Sequence, residues 1–237
     1  MRKGYWLIKS VLYIFVFAIC ALFLYDAVAS ILLRPPAVLM TPLDESIPFI
    51  SGFAVLYVFV FYPFLLLTVG YYAFIKPEKS DRFFLALFTV YGISFLTYLV
   101  FPVMMIRPSP DSLPPDFLSQ VMANYYRSDP PLNCFPSLHA ALSTLSAFFL
   151  AKETRNIALK VGVWGVAVGI MISTLFVRQH VIADEIAGFI LAYVVGYLSN
   201  RYVPLTDVKV GYFKVRVAVA LVLALLVAGW MISSYIP

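Results

Sequence analysis

Charge is what this 237-residue sequence has least of: only 12% of its residues are Asp, Glu, Lys or Arg, against roughly a quarter in an ordinary soluble domain. That shortage, with 62% hydrophobic residues and a mean hydropathy of +0.92, excludes a soluble globular domain and defines a multispanning membrane protein. Cysteine is nearly absent too. Cys20 falls inside the first apolar run and Cys134 near a surface, so the pair is not placed to bridge and reads as two small packed hydrophobes. Ionisable residues are missing from the middles of the second, third, fifth and last apolar runs, which leaves a transporter no charged route across the bilayer. Histidine occurs only twice, at His139 and His180, each beside a polar interruption. The formal charge of +5 does not point to nucleic acid, because membrane proteins gather Lys and Arg on one face for topological reasons.

Apolar runs near 7–32, 48–75, 83–106, 137–151, 157–177, 182–199 and 213–235 read as seven helices of an all-α integral membrane protein, a single membrane domain over 1–237. The run from Val11 to Tyr25 continues past Asp26 to Leu33, long enough to span, and is expected to be retained rather than cleaved. Pro63 offers no backbone N–H and kinks the second helix rather than ending it. The fourth run, from Pro136 to Ala151, is short for a hydrocarbon layer of about 30 Å, so it starts below the surface or is completed by polar-lined protein. With seven helices, thirteen of the seventeen basic residues, among them Lys9, Lys76, Lys79, Arg82, Lys152 and Arg201, fall on one face, the one expected to be cytoplasmic. Arg34, Arg107, Arg127 and Arg178 fall on the other with both histidines. The N-terminus is therefore expected inside, and the C-terminus and histidine face outside. The run at 213–235 reads as an appended anchor or packing helix.

The linker at 107–136 holds seven of the sixteen prolines, yet carries Phe117, Leu118, Val121, Met122, Tyr125 and Tyr126. This pattern predicts a short amphipathic surface helix between two rigid turns, a shaped rim rather than a passive connector. Tyr125, Tyr126 and Arg127 are its candidates for contact with a lipid head group. Gly165, Gly169 and Ser173 recur every four positions in the fifth run, as do Gly188, Ala192 and Gly196 in the sixth, which permits close backbone approach. Extending the second series backwards reaches Asp184 and then His180, so the packing face and the chemical face of that helix coincide.

His180 and Asp184 stand one turn apart, where the carboxylate can fix the imidazole tautomer and leave the other ring nitrogen free to attack. His139 opens the fourth helix just past Pro136 and Ser137, and a helix start there aims free N–H groups and a positive dipole end at a bound anion. With Arg107 and Arg178, this inventory suits a phosphate monoester or diphosphate, one histidine acting as nucleophile and the other as the acid for the departing oxygen. Two histidines and an aspartate could instead hold zinc. The arginines disfavour a cation, so no metal and no cofactor are expected.

The segment Pro136, Ser137, Leu138, His139, followed by His180 and Asp184, resembles the second and third signatures of the type 2 phosphatidic acid phosphatase superfamily. Arg107 with Pro108 resembles the end of the first. Leucine before the first histidine and glutamine before the second make the chain look closest to the branch that contains inositol phosphorylceramide and sphingomyelin synthases. The resemblance covers roughly residues 45–200 and leaves the last run outside the six-helix core. It implies that His180 attacks phosphorus to form a phosphohistidine, that Asp184 orients it, and that His139 protonates the leaving oxygen. Arg107 and the backbone around Ser137 and Leu138 would bind the phosphoryl oxygens. Two positions depart from the family pattern: Val100 stands where the first signature has lysine, and Thr174 where the third has arginine, leaving Arg178 as the nearby alternative cation. The implied function is a metal-independent lipid phosphatase acting on a phosphorylated or diphosphorylated lipid such as phosphatidate, phosphatidylglycerophosphate or undecaprenyl diphosphate, and the short loops, with no sorting segment evident, make a prokaryotic plasma membrane the expected location. A head-group transferase using the same intermediate, or an inactive transport or structural protein on the same fold, are the alternatives.

Overall fold

The computed structural model describes residues 5–207, so the run at 213–235 lies outside the described residues. Among them the chain is almost wholly helical, and five helices are long and apolar enough to cross a membrane: α1 (Trp6–Ala29), α2 (Ser51–Ile75), α3 (Pro77–Val100), α6 (Ile157–Phe176) and α7 (Ile182–Tyr202). Two shorter helices complete the order, α4 (Phe117–Ser128) in the Pro-rich linker and α5 (Leu138–Ala151). Large apolar side chains such as Ile8, Phe15, Phe23, Leu96 and Val161 point outward from the long helices, as a surface solvated by hydrocarbon requires.

The short helix α5 is the centre of the bundle. It is buried along nearly its whole length and packs against α6, α7, α2 and α3, so surrounding protein, not lipid, completes its span. Gly188 explains how α7 comes so close: a Cβ there would lie 2.3 Å from the Ser137 carbonyl oxygen and 3.0 Å from Ala140 Cβ. A Cβ on Gly196 would meet Phe148 at 3.1 Å and Leu145 at 3.2 Å. The small-residue series of α6 behaves differently. Among the described residues a Cβ on Gly165 would meet nothing within 4 Å, and one on Gly169 would touch only Leu56, at 3.4 Å. The close seam is thus α5 against α7.

Pro63 does not end α2. The preceding turn, Val55–Val60, widens to i→i+5 spacing, which makes room for a ring that would otherwise strike the carbonyl one turn back. The third run ends earlier than its hydrophobicity predicts, at Val100 rather than 106, because Pro102 disfavours helical backbone at Phe101. Residues beyond it run extended: Ala37 N–H donates to Pro102 O at 2.9 Å, Met104 N–H to Ala37 O at 2.9 Å, and Met105 N–H to Pro131 O at 3.0 Å. This short lattice ties the loop after α1, the exit of α3 and the approach to α5 into one platform.

Candidate active site

Four local structures bring the polar residues together at one end of the bundle. The first is the start of α5. Ser137 caps it by accepting from the Ala140 N–H at 3.2 Å, and its own N–H donates to the Asp184 carbonyl at 3.0 Å. Tyr98 of α3 donates to Pro136 O at 2.8 Å. The first-turn amides of Leu138 and His139 have no partner within a helix that begins there, so they offer an anion two donors and a positive dipole end. The His139 ring is clasped by Tyr57 and Phe61, with centroids at 4.6 and 4.5 Å.

The second is the turn between α6 and α7. Gln179 N–H donates to Thr174 O at 2.9 Å and Arg178 N–H to Leu175 O at 3.1 Å, the paired bonds of a Schellman ending. That ending puts Arg178 at φ 53°, a left-handed position usually given to glycine. Arg178, expected at the phosphate, offsets the strain by anchoring elsewhere: Nη1 donates to Asp44 O at 2.7 Å and to Ile47 O at 3.0 Å.

The third is the start of α7. His180 Nδ1 lies 3.3 Å from Asp184 Oδ2, which also accepts from the Val181 N–H at 3.1 Å. The free N–H of Ile182 is taken by Asp44 Oδ1 at 2.8 Å, across 138 residues of sequence. Burial alone would raise the Asp44 pKa, but hydrogen bonds from Ile182 and Thr41 outweigh it and hold this carboxyl below the usual range. For His180, burial by itself lowers the pKa. The hydrogen bond to Asp184 and the charges of Glu185 and Asp184 more than offset that, so it stands above the ordinary histidine value.

The fourth is the Pro-rich linker. Arg107 donates from Nη1 to Asp129 O at 2.8 Å and from Nη2 to Asp129 Oδ2 at 3.1 Å and Pro130 O at 3.2 Å, with its guanidinium over the Tyr126 ring. Tyr125 and Tyr126, expected to meet lipid, turn inward: Tyr125 Oη lies 3.2 Å from Tyr62 Oη, and Tyr126 donates to Val177 O at 2.6 Å. Arg127 faces outward and pairs with Asp111 at 2.6 Å.

The outcome is a pair of facing imidazoles. The rings of His139 and His180 have centroids 5.6 Å apart and meet edge to face, with Asp184 behind His180. Around them stand buried atoms without a hydrogen bond among the described residues: His139 Nε2, Asp184 Oδ1, Gln179 Nε2 and Arg107 Nε. Glu185 is buried beside the hydroxyls of Ser137 and Thr174 without a hydrogen bond of normal geometry. Such a concentration of unsatisfied polar groups is foreign to a packed core and marks a place built for a polar guest. Sequence reading missed Asp44, Asp129, Tyr57 and Tyr98. Thr41, Pro42 and Asp44 do carry a legible capping signature, realised in the turn Pro42–Glu45, but nothing in it says that the second carboxylate oxygen crosses to α7.

The fold is a helical bundle with five helices long and apolar enough to cross a membrane, in which the start of the central helix and the turn into a spanning neighbour present opposed histidines, one backed by a carboxylate. The chain belongs to the PAP2 superfamily, whose family model matches residues 83–207, more than half of its length. No curated protein and no solved structure matches the chain. Members of this superfamily generally hydrolyse phosphate esters, and membership supports an activity of the phosphatase or related phosphoryl-transfer kind. The matched span runs from within α3 past the end of α7 and holds both histidines, but not Asp44, Tyr57 or Phe61.

Proposed function

We propose that the protein is a metal-independent lipid phosphate phosphatase working through a phosphohistidine on His180. The observation that carries this reading is the His139–His180 pair, 5.6 Å between ring centroids, with Asp184 on the far nitrogen of His180. Asp184 accepts from Nδ1–H and so leaves the Nε2 lone pair free. That lone pair attacks phosphorus, the P–O bond to the lipid breaks, and His139, protonated on both ring nitrogens when substrate is bound, gives its Nε2 proton to the departing alkoxide or phosphate oxygen and becomes neutral. Water then attacks the phosphohistidine, His139 takes its proton, and phosphate leaves with His180 restored. The amides of Leu138 and His139, Ser137 and the free Nε of Arg107 are assigned to the phosphoryl oxygens. Arg178 is assigned to holding the His180 turn. By the positive-inside rule the end carrying Lys9, Lys76, Lys79 and Arg82 is cytoplasmic and the histidine end faces outward, where the tail of a membrane lipid stays in the bilayer while its head group reaches the site.

One observation favours a second reading. Arg107 is tied to Asp129, Arg178 is turned to the carbonyls of Asp44 and Ile47, and Thr174, beside Glu185, stands where the family pattern has an arginine. So few uncommitted cations suit a monoanionic phosphodiester better than a dianionic monoester, as a head-group transferase of the inositol phosphorylceramide or sphingomyelin synthase kind would require. The experiment is a panel of lipid phosphates, diphosphates and phosphodiesters, with and without lipid alcohols, read for inorganic phosphate and for transferred head group. Phosphate release without added divalent metal, abolished in His180→Ala, is the expected result. Transfer products exceeding free phosphate would favour the synthase, and full activity of His180→Ala would remove the mechanism.

A further inference from the structure

We propose that Cys134, His180 and Asp184 form a binding site for a soft divalent cation of the zinc class, and that occupation of this site switches off the nucleophile. One donor atom from each residue lies within 4.8 Å of the others, and the three residues are 2%, 7% and 1% exposed. They come from two elements, Cys134 from the approach to α5 and His180 with Asp184 from the turn into α7. Cys134 is pinned by its amide to Val103 O at 3.4 Å, His180 by the ending of α6, and Asp184 by the first turn of α7.

Two of the donors have capacity to spare. Among the described residues Asp184 Oδ1 is buried without a hydrogen bond, and the Cys134 thiol makes long contacts, 3.6 Å to the carbonyls of Pro131 and Leu132. The surrounding charge also favours a cation. Asp184, Glu185 and Asp129 lie about this cluster, and among the described residues the guanidinium that acts on it, Arg107, is already paired with Asp129. Thiolate, imidazole and carboxylate together form a donor set suited to zinc and its soft congeners, with a fourth position open. On binding, the thiol gives up its proton to solvent and the sulfur lone pair takes the metal.

Coordination disables His180 at either nitrogen. At Nε2 it occupies the attacking lone pair, and at Nδ1 it displaces the bond to Asp184 and leaves the remaining proton on Nε2. The switch rests on the role proposed for His180, whereas the site rests on the donor geometry alone, so the two are tested separately. Full-length protein in detergent micelles titrated with Co2+ is expected to develop a near-ultraviolet thiolate-to-cobalt charge-transfer band, kept in Cys20→Ala and lost in Cys134→Ala. No such band in the wild type would overturn the site, whatever the fate of the variants. In the phosphate-release assay Zn2+ is expected to inhibit, a chelator to restore activity, and Cys134→Ala to remain active while needing more than about tenfold more Zn2+. Equal inhibition of wild type and Cys134→Ala, or the cobalt band without inhibition, would overturn the switch. If no lipid phosphate is turned over at all, the proposed function fails, and the cobalt spectrum still decides the site.

Discussion

The two ends of the bundle both carry ionisable groups and use them in opposite ways. At the lysine end Lys9 pairs with Asp81, Lys79 lies 2.8 Å from Glu153, Tyr13 donates to Asp81 at 2.6 Å, and Arg82 Nε donates to Val203 O at 2.6 Å. These groups are partly exposed, and their charges find partners. Around the two histidines the polar groups are buried, and among the described residues atoms of His139, Asp184, Gln179 and Arg107 are left without a hydrogen bond. Partnered charge at a rim fixes where a helix ends. Buried and unsatisfied charge costs stability and is retained only where something is to be bound or transformed.

The contrast can be broken at several points. The largest effect is expected from Gly188→Ala, whose new Cβ would lie 2.3 Å from the Ser137 carbonyl oxygen, a backbone atom that cannot swing aside. Overpacking of this kind costs about 1–3 kcal/mol, and here it also pushes the start of α5 from the start of α7. Thermal unfolding in detergent is expected to shift downward, with activity lost beyond what the shift explains. A variant with wild-type stability and turnover would show that the α5–α7 seam is looser than described.

Asp44→Ala comes next. It strips the Ile182 N–H of its acceptor and frees the segment that anchors Arg178, and an unsatisfied buried donor costs about 1–3 kcal/mol. Because Asp44 acts through the turn that carries His180, kcat is expected to fall more than KM rises, with partial rescue in Asp44→Asn, whose amide oxygen can still accept from Ile182. Its depressed pKa adds a stability contribution present above the unfolded carboxyl value and lost as pH falls through the folded one, a loss that Asp44→Asn should not show.

The pH profile sharpens the comparison further. A nucleophilic His180 must be neutral, and its pKa is raised, so the rate is expected to climb as pH rises through a value above the ordinary histidine pKa of about 6.5. Its stabilising contribution runs the other way: present below the unfolded value, it is lost as pH rises through the folded one. Asp184→Asn removes a cause of the shift and should move the residual acid limb downward. An acid limb that stays in place would detach Asp184 from His180. The smallest effect is expected at the other end, where Lys79→Met breaks a partly exposed ion pair worth about 0.2–1 kcal/mol and leaves kcat unchanged.

How far the sequence foretold this depends on whether a signal was local. The apolar runs that became α1, α2, α3, α6 and α7 could be read directly, because length and hydropathy alone decide a span. So could α5, whose shortness correctly implied a protein-lined position, and α4, where Asp116 caps the helix by accepting from the Ser119 N–H at 3.0 Å. The end of α3 was misjudged by several residues because Val103, Met104 and Met105 are as apolar as a helix requires, and only Pro102 distinguishes them. At the site, the one-turn spacing of His180 and Asp184 was legible. The contacts of Arg178 were not: nothing local distinguishes a guanidinium bound to phosphate from one bound to the carbonyls of Asp44 and Ile47, 131 or more residues away. The partnership of Arg107 with Asp129 is of the same kind.

The central claim, that His180 is a nucleophile held by Asp184 opposite His139, is tested most directly by trapping the covalent intermediate. Protein mixed with a lipid phosphate labelled at phosphorus, quenched in alkali and digested, should yield an acid-labile, alkali-stable phosphohistidine on the peptide containing His180, with none in His180→Ala. Turnover without such a label, or a label on His139, would contradict the account.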